Sequence, residues 1–375
     1  MPSEDARAIS EALAAAIRAE IETNGGWIDF ARYMELALYS PGLGYYSAGS
    51  MKFGAAGDFI TAPEISTTFG RALAATLGAE LDAAAARTVL ELGAGSGALA
   101  ARLLDTWAEQ RRDVDYRILE PSADLRARQQ QALARFAPRV RWLDRLPEAP
   151  FRGAVVANEV LDALPVTCFG KASGHVRAIG VTSDAAGFRW AERPGGPLLV
   201  AAVDRLERSL GAGLPDGYRS ELCLAMPSWI GSIAASIERG SVLFVDYGLV
   251  RSEYYHAQRS GGTLVCHYRH RVHADPFLYP GLQDITAWVD FSAVAEAAAA
   301  AGFSVDAFTT QAQYLIGMLA NVPDALGIEA ASPREQSALK TLILPGEMGE
   351  RFKVLLLRKA VAGAPLPGRD FRGRL

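Results

Sequence analysis

The stretch that decides the fold lies in the first third of the chain and reads Thr88-Val89-Leu90-Glu91-Leu92-Gly93-Ala94-Gly95-Ser96-Gly97. β-Branched and apolar residues over 88–92 predict a short buried strand. The glycines that follow allow a tight turn and let a ligand approach the main chain. A helix is predicted over residues 98–111. The sequence therefore indicates a strand, a glycine turn and a helix in that order.

Strands and helices continue to alternate along most of the chain. The other predicted strands lie at 115–120, 140–143, 153–157, 241–246, 303–308 and 352–357. The helices predicted between them lie at 122–136, 227–239 and 292–301. Alternation of this kind predicts a parallel sheet with helices on both faces. The predicted fold class is therefore α/β, with a Rossmann-like and mostly parallel sheet.

The first 85 residues predict a helical and loop region. Apolar spacing indicates helices at 6–22, 28–38 and 67–81, and the loop at 40–59 is rich in glycine and aromatic residues. We therefore separate a region 1–85 from a main domain 86–375.

Two segments of the main domain predict insertions, at about 168–226 and about 249–290. The first alternates like antiparallel hairpins, with a turn at 184–187, and the second is rich in tyrosine, histidine and arginine. A loop as long as the second is usually functional. The tail after Gly363 is expected to be frayed.

Composition limits the class of protein. The chain has 375 residues, half of them hydrophobic, so a sizeable core is expected and disorder is excluded for most of its length. Lysine plus arginine is 38 and aspartate plus glutamate is 42, giving a net charge of −4. Because phosphate neutralisation needs a basic surface, bulk nucleic acid is not expected to be the main partner.

Cysteine usage and the N-terminus predict a cytoplasmic protein. The three cysteines, Cys168, Cys223 and Cys266, are far apart in sequence, so no disulfide framework is indicated and a reducing compartment is expected. The first residues carry acids early, unlike a secretory signal or a transit peptide. No apolar run approaches the length that spans a bilayer, so no membrane span is expected.

The glycine turn by itself does not identify its ligand. Gly93, Gly95 and Ala98 satisfy a dinucleotide pattern, and Glu120 lies where an acid would bind a ribose. A nicotinamide cofactor and S-adenosylmethionine both contain ribose. Glu91 discriminates between them. A carboxylate just before the glycines suits the cationic methionine end of S-adenosylmethionine, whereas a pyrophosphate does not need a carboxylate there. A tight turn without a ligand is the remaining alternative.

A second polar constellation follows the strand predicted at 153–157. Asn158, Glu159 and Asp162 lie at the carboxyl edge of the sheet, where ligands bind. The two acids are three residues apart, so they share a face if the segment is helical. A helix N-terminus whose dipole favours acids is the structural alternative.

The chain resembles the MidA-type class I methyltransferases, whose mitochondrial members assist complex I assembly. The matching motifs span nearly the whole chain in order. They are Tyr39-Ser40-Pro41-Gly42-Leu43-Gly44-Tyr45-Tyr46, Gly57-Asp58-Phe59-Ile60-Thr61-Ala62-Pro63-Glu64-Ile65-Ser66, Glu91 to Gly97, Glu120-Pro121-Ser122, Asn158-Glu159-Val160-Leu161-Asp162-Ala163-Leu164-Pro165, Val245-Asp246-Tyr247-Gly248, Tyr268-Arg269-His270-Arg271 and Gln283-Asp284-Ile285-Thr286-Ala287-Trp288-Val289-Asp290-Phe291.

The resemblance implies a class I methyltransferase sheet with an antiparallel last strand, over 86–375, and a contribution of 1–85 to the cofactor site. It implies methyl transfer from S-adenosyl-L-methionine to an arginine of a protein, with a core subunit of complex I as the family's known substrate. The cofactor-binding residues that it implies are Gly57, Asp58, Phe59, Thr61, Glu91, Gly93, Gly95, Gly97, Glu120, Pro121 and Ser122.

The catalytic residues are a hypothesis from acceptor chemistry. A guanidinium stays charged in solution, and carboxylates can bind its fork and localise its positive charge. Glu159 and Asp162 are the candidate carboxylates, and Asn158 would orient the acceptor. The candidate substrate-binding residues are Tyr247, His267, Tyr268, Arg269 and His270.

Two other interpretations of the segment around residue 270 are weaker. The spacing of His267, His270 and His273 could chelate a metal, but no known zinc signature accompanies it, so no metal is predicted. Cys266 is expected to be a small buried thiol rather than a nucleophile, because no oxyanion motif accompanies it.

Four functions compete at this point. The first is protein-arginine methylation of a respiratory-complex subunit, and the second is methylation of a small molecule or lipid. The third is a nicotinamide-dependent oxidoreductase. Glu91 and the segment 158–162 argue against this third function. A non-catalytic assembly factor that keeps the fold is the fourth. The predicted partner is a protein substrate, and the oligomeric state, a dimer included, stays open.

Overall fold

The computed structural model describes residues 2–47, 61–327 and 332–375. Cα packing divides the chain into two compact units. The antiparallel unit comprises Met1–Met51, Asp162–Met226 and Val250–Asp290, and the parallel unit comprises Lys52–Leu161, Pro227–Leu249 and Phe291–Leu375. The sequence-based division into 1–85 and 86–375 stays a prediction.

Helices occur in both units. In chain order they are α1 (Glu4–Thr23), α2 (Phe30–Tyr39), α3 (Ala62–Ile65), α4 (Thr67–Ala84), α5 (Ala98–Glu109), α6 (Ala123–Ala132), α7 (Pro197–Leu210), α8 (Met226–Ser236), α9 (Arg251–Tyr254), α10 (Phe291–Ala300), α11 (Gln311–Asn321), α12 (Pro323–Leu326) and α13 (Pro333–Ile343). Short 3-10 helices are formed by Ala134–Phe136 and Arg372–Arg374. Among the described residues, no helix has the length and apolar character needed to cross a bilayer.

The strands follow the same order. They are β1 (Ile28–Asp29), β2 (Thr88–Leu92), β3 (Asp115–Leu119), β4 (Val140–Leu143), β5 (Phe151–Asn158), β6 (Thr167–Ala172), β7 (His175–Asp184), β8 (Gly187–Pro194), β9 (Arg219–Leu222), β10 (Ile237–Leu249), β11 (Val265–Tyr268), β12 (Arg271–His273), β13 (Asp284–Thr286), β14 (Val289–Asp290), β15 (Ser304–Thr310) and β16 (Phe352–Lys359).

The parallel unit is built on a sheet with the strand order β15-β16-β10-β5-β2-β3-β4. Strands β2, β3, β4, β5 and β10 run parallel to their neighbours in this group. The last strand, β16, is antiparallel to both β10 and β15. This confirms the predicted α/β class with its mostly parallel sheet and antiparallel last strand. The carboxyl ends of β2, β3 and β5 therefore meet at one edge, where ligands bind in such sheets.

The core of the parallel unit packs apolar helix faces against this sheet. Phe69 of α4, Trp107 of α5 and Tyr116 of β3 are all almost fully buried in one cluster. A buried ion pair joins α4 to β16, because the Arg358 guanidinium donates to both oxygens of the Glu80 carboxylate. Apolar packing and this paired charge hold the scaffold that positions the loops at the sheet edge.

The antiparallel unit contains α1, α2 and two small sheets. One has the order β1-β7-β6-β9 with β8 paired to β7, and the other has the order β12-β11-β13. The hairpin of β7 and β8 turns at the predicted residues, 184–187. The helix predicted from residue 28 starts at Phe30 instead, because Ile28 and Asp29 pair with β7. The helical N-terminal region is confirmed.

The C-terminal tail does not fray as predicted. The Phe371 amide donates to the Phe308 carbonyl at 2.6 Å, and the Thr309 hydroxyl donates to the Arg369 carbonyl at 2.6 Å. The Phe308 amide also donates to the Asp370 carboxylate at 3.3 Å. The tail is therefore hydrogen-bonded along β15, and the prediction is wrong because such pairing between distant residues leaves no local pattern.

Candidate active site

A glycine loop connects β2 to α5. Gly93, Gly95 and Gly97 have φ angles of 62°, 53° and 81°, in the left-handed region that L side chains rarely adopt. A Cβ added to Gly93 would lie 3.0 Å from a methyl group of Val160. Glycine is therefore favoured by conformation at all three positions, and at Gly93 by space as well.

Glu120 follows β3 and is only 3% exposed. Its carboxylate accepts the Ser122 amide at 2.9 Å and the Gln129 side-chain amide at 3.0 Å. Ser122 is also the N-cap of α6, where its hydroxyl accepts the Leu125 amide. Pro121, between them, is exposed. The carboxylate is thus held in place where an acid that binds a ribose is expected.

Gln129 is a residue of this site that sequence reasoning missed. It is fully buried in α6, and its amide nitrogen also donates to the Gly95 carbonyl at 3.0 Å. Its amide oxygen accepts the Trp142 indole N–H at 3.0 Å. Gln129 therefore connects the glycine loop, Glu120 and β4. No sequence signal marks it, since α6 is a largely polar helix in which Leu125 is the other buried residue. We call Glu91, Gly93 to Gly97, Glu120, Ser122 and Gln129 the glycine-loop site.

Glu91 is the second buried carboxyl group of the glycine-loop site. It is 2% exposed and accepts the Tyr116 hydroxyl at 2.8 Å. Burial raises the pKa of Glu91 to about 8; the charge of Glu120 acts in the same direction, and the Tyr116 hydrogen bond opposes both. A cation placed beside this carboxyl group would favour its ionised form.

The residues predicted from the 57–66 motif are described only in part. Gly57, Asp58 and Phe59 lie outside the described residues. The Thr61 amide, at the start of α3, donates to the Glu64 carboxylate at 3.2 Å. That carboxylate also accepts the Ser96 hydroxyl at 2.9 Å. The motif is therefore bonded to the glycine loop through Glu64, a residue that sequence reasoning did not single out as functional.

The chain after β5 has a constrained conformation. Glu159 has a φ of 54°, which is uncommon for a residue with a side chain and typical of functional sites. Its amide donates to the Val245 carbonyl at 2.9 Å, and its carboxylate accepts the Asn158 side-chain amide at 2.9 Å. The buried Asn158 carbonyl oxygen has no hydrogen-bond partner within the described parts of the chain. A buried acceptor without a partner indicates a place for a polar ligand.

Asp246 on β10 holds this conformation. It is 1% exposed, and one carboxylate oxygen accepts the amides of Val160 and Leu161 at 3.0 and 2.8 Å. The segment that it holds is not helical, so the structural alternative of a helix N-terminus is wrong. Glu159 and Asp162 do not share a helix face, because Asp246 takes the amides that a helix would use. Glu159 belongs to the parallel unit and Asp162 to the antiparallel unit.

Within the antiparallel unit, two buried carboxylates and two tyrosines form what we call the acidic–aromatic cluster: Tyr39, Tyr46, Asp162 and Asp284. The Tyr46 hydroxyl donates to the Asp284 carboxylate at 3.0 Å, and its ring stacks on Tyr39 at 5.5 Å between centroids. Burial, followed by the negative charges of Asp284 and Asp162 among other groups, raises the pKa of Tyr46 well above its ordinary value. The phenol therefore stays a hydrogen-bond donor.

The predicted substrate-binding residues fall in different places. His267 and Tyr268 lie on β11, and Arg269 and His270 form its turn into β12 with φ angles of 49° and 59°. Tyr247 lies on β10, where its ring packs edge-on against another aromatic ring. The structure thus does not bring all five into one element, and their role stays a prediction.

Metal and thiol chemistry find no support near β11. In the described residues, no group of three or more histidine, cysteine or acidic side chains could hold a metal ion. His270 lies in the turn, whereas His267 and His273 lie on different strands. Burial raises the pKa of Cys266 to about 12, so it stays a thiol at neutral pH.

Comparison with known proteins gives one family and a set of similar relatives. The model of Methyltransf_28, a family of S-adenosyl-L-methionine-dependent methyltransferases, matches residues 69–309. A Drosophila melanogaster relative named "Protein arginine methyltransferase NDUFAF7 homolog, mitochondrial" is 29% identical over 97% of this chain and 90% of its own. The Danio rerio "Protein arginine methyltransferase NDUFAF7, mitochondrial" is 29% identical over 88% of this chain and 82% of its own.

Solved structures agree with the fold. A COG1565 superfamily member from Burkholderia thailandensis bound to S-adenosyl-homocysteine is 44% identical, with a TM-score of 0.92 over 100% of this chain and 99% of that one. A native crystal structure of a COG1565 superfamily protein from the same organism has a TM-score of 0.89 and the same identity and coverage.

The prediction of a cytoplasmic location is wrong. The fly, zebrafish and mouse relatives are all named as mitochondrial proteins, which points away from the cytoplasm. The prediction failed because it treated the absence of sorting signals and disulfides as evidence for one particular compartment. Cysteine usage does not by itself identify a compartment.

Proposed function

The chain belongs to the Methyltransf_28 family of S-adenosyl-L-methionine-dependent methyltransferases, and from that premise we propose that it methylates an arginine side chain of a protein. The observation that carries the proposal is the similarity to the fly protein arginine methyltransferase along 97% of this chain. As the finer substrate, we propose a core subunit of respiratory complex I, which is what the resemblance of the sequence motifs implies.

The cofactor is S-adenosyl-L-methionine, as the glycine loop and Glu91 predicted. The residues present fit it: three left-handed glycines leave room at the main chain, and the buried acids Glu91 and Glu120 suit a cationic group and a ribose. We propose that the glycine-loop site, with Gly57, Asp58, Phe59, Thr61 and Pro121, holds the cofactor. When bound, the cofactor supplies a methyl group on a sulfonium.

The acceptor must be prepared by the chain's own side chains. A guanidinium is protonated at neutral pH, so the nitrogen that gains the methyl group must give up a proton to a base, for which the Glu159 carboxylate is the candidate; the former carrier of the methyl group would leave as S-adenosyl-homocysteine. We propose that Glu159 and Asp162 pair with the guanidinium and localise its charge, and that Asn158 orients it. Asn158 supports this role because its buried carbonyl oxygen lacks a partner among the described residues, and Glu159 because its backbone is held in an uncommon conformation.

The role of Glu159 is tested by separating binding from turnover. We expect Glu159→Gln to lower kcat by about 100-fold or more, the scale of a lost acid–base or charge-stabilising group. The affinity for S-adenosyl-homocysteine, measured by calorimetry, should stay within twofold. The matched control is Glu148→Gln, an exposed carboxylate of the same unit paired with Arg145. Unchanged turnover in Glu159→Gln would exclude the role.

The function itself is tested by mass spectrometry of complex I subunits from a strain that lacks the gene. We expect a methylated arginine in the parent strain that is absent from the deletion strain and returns with the wild-type gene. An unchanged pattern of protein methylation, with a lost methylated lipid or small molecule, would replace the proposal with the second function considered above. Normal methylation with defective assembly would favour a non-catalytic assembly factor.

A further inference from the structure

Three sequence motifs to which the glycine-loop site gives no role meet within the antiparallel unit. They contribute Tyr39 and Tyr46, Asp162, and Asp284, which together form the acidic–aromatic cluster. We propose that this cluster, completed by Thr286, binds the guanidinium of the acceptor arginine. The inference rests on the proposed function, whose substrate it deepens by naming the residues that recognise it.

Backbone contacts fix the two carboxylates in the cluster. The Tyr39 hydroxyl donates to the Ala163 carbonyl at 2.8 Å, next to Asp162 in the chain. The Asp162 carbonyl in turn accepts the Ala287 amide at 3.0 Å, just after β13. These bonds join the chain around Asp162 to the strand that carries Asp284. Asp162 and Asp284 are 6% and 3% exposed, so most water is excluded around them and an electrostatic interaction with a bound cation would be weakly screened.

Thr286 gives an independent indication of a ligand. It lies two residues after Asp284 on β13, so both side chains are on the same face of the strand. Thr286 is 2% exposed, and its hydroxyl has no hydrogen-bond partner among the residues that the structure describes. A buried hydroxyl without a partner costs free energy that a polar ligand would recover. The hydroxyl can accept an N–H of a guanidinium.

Guanidinium is the group that this combination suits. It is a planar cation with five N–H donors, which carboxylates bind in pairs and aromatic faces attract. The cluster presents two buried carboxylates, a stacked pair of tyrosine rings and the Thr286 acceptor. An anionic acceptor would place a further negative charge beside the two carboxylates. A lysine ammonium would satisfy the charge but lacks the planar fork of donors.

The test uses Nα-acetyl-L-arginine amide as the probe and Nα-acetyl-L-citrulline amide as its neutral isostere. Binding is measured by saturation-transfer NMR with S-adenosyl-homocysteine present. We expect the arginine probe to bind the wild-type chain at least tenfold more tightly than the citrulline probe. Asp284→Asn should weaken the binding of the arginine probe about tenfold or more, and Tyr46→Phe should weaken it several-fold. Asp275→Asn, an exposed carboxylate of the same unit, is the control and should change nothing.

Thermal melting and the affinity for S-adenosyl-homocysteine separate recognition from misfolding. Both should stay close to the wild-type values in Tyr46→Phe, which removes one hydroxyl and keeps the ring. If Asp284→Asn does not fold, Tyr46→Phe decides alone. Equal binding of the two probes by the wild-type chain, or wild-type affinity for arginine in the variants, would overturn the inference. The proposed function fails separately, if the deletion strain keeps its methylated arginines.

Discussion

The glycine-loop site and the acidic–aromatic cluster both bury carboxylates, but they surround them with different donors. Glu120 accepts N–H groups from a backbone amide and from the side-chain amide of Gln129, which hold its carboxylate in place. Asp284 accepts the phenol of Tyr46, whose ring stacks on Tyr39. The first arrangement suits a sugar, and the second suits a flat cation. Under the two proposals above, cofactor binding by the glycine-loop site and guanidinium recognition by the acidic–aromatic cluster are separate tasks.

Glu91 is an exception to this comparison. It belongs to the glycine-loop site, yet its carboxyl group accepts a hydrogen bond from a phenol, that of Tyr116. The folded-state pKa of about 8 lies above the ordinary value of 4.5. The folded chain therefore keeps a proton that the unfolded chain loses, so the contribution of Glu91 to stability falls as the pH rises between these two values.

The largest expected effect is therefore on stability in Glu91→Gln. The amide resembles the protonated acid, so the variant should gain stability over the wild type as the pH rises from 5 to 8, by up to about 4 kcal/mol at a limiting slope of about 1.4 kcal/mol per pH unit. Denaturant unfolding at pH 5, 6.5 and 8 measures this difference. A difference that does not change with pH would show that Glu91 is ionised in the folded chain.

The next effect in size concerns donor binding in Glu120→Gln. Loss of the carboxylate acceptor should weaken the binding of S-adenosyl-homocysteine about 10- to 100-fold, the scale of a strong hydrogen bond to a carboxylate. Calorimetry measures it, with Glu109→Gln, an exposed residue of α5, as the control. The affinity for the arginine probe should not change. A parallel loss of both affinities would contradict the separation of tasks.

The smallest effect is expected from Gln129→Met, which keeps the volume of the side chain but removes its three hydrogen bonds. The Trp142 N–H and the Gly95 carbonyl would lose this hydrogen-bond partner. We therefore expect the affinity for S-adenosyl-homocysteine to fall about tenfold and the free energy of unfolding to fall by about 1–3 kcal/mol. Gln130→Met, exposed on the same helix, is the matched control. Wild-type affinity in Gln129→Met would mean that the glycine loop does not depend on this bridge.

The two regions also differ in how far the sequence predicts them. The strand 88–92 and its glycine turn follow from short-range patterns, and β2 has the predicted bounds. Glu91 and Glu120 could be singled out as candidates because a strand places an acid at a known edge of a parallel sheet. Gln129 was not found, since burial of one amide in a polar helix depends on packing rather than on periodicity.

The acidic–aromatic cluster could not be assembled from local patterns. Tyr46 and Asp284 are 238 residues apart, and only strand pairing and turn geometry decide that they meet. Asp246 was missed as a positioning residue for the same reason, because its acceptance of the Val160 and Leu161 amides joins distant segments. The helix considered as an alternative after β5 does not form, because the Asp246 carboxylate accepts amides that a helix would use.

The most direct test of arginine methylation uses the purified chain with S-adenosyl-L-methionine that carries a deuterated methyl group. The acceptor source is an extract of the deletion strain, in which unmethylated substrate accumulates. We predict that mass spectrometry will find deuterated methylarginine in a protein after incubation with the wild-type chain, and far less with Glu159→Gln. Label found only in lipids or small molecules, or in no product at all, would contradict the account.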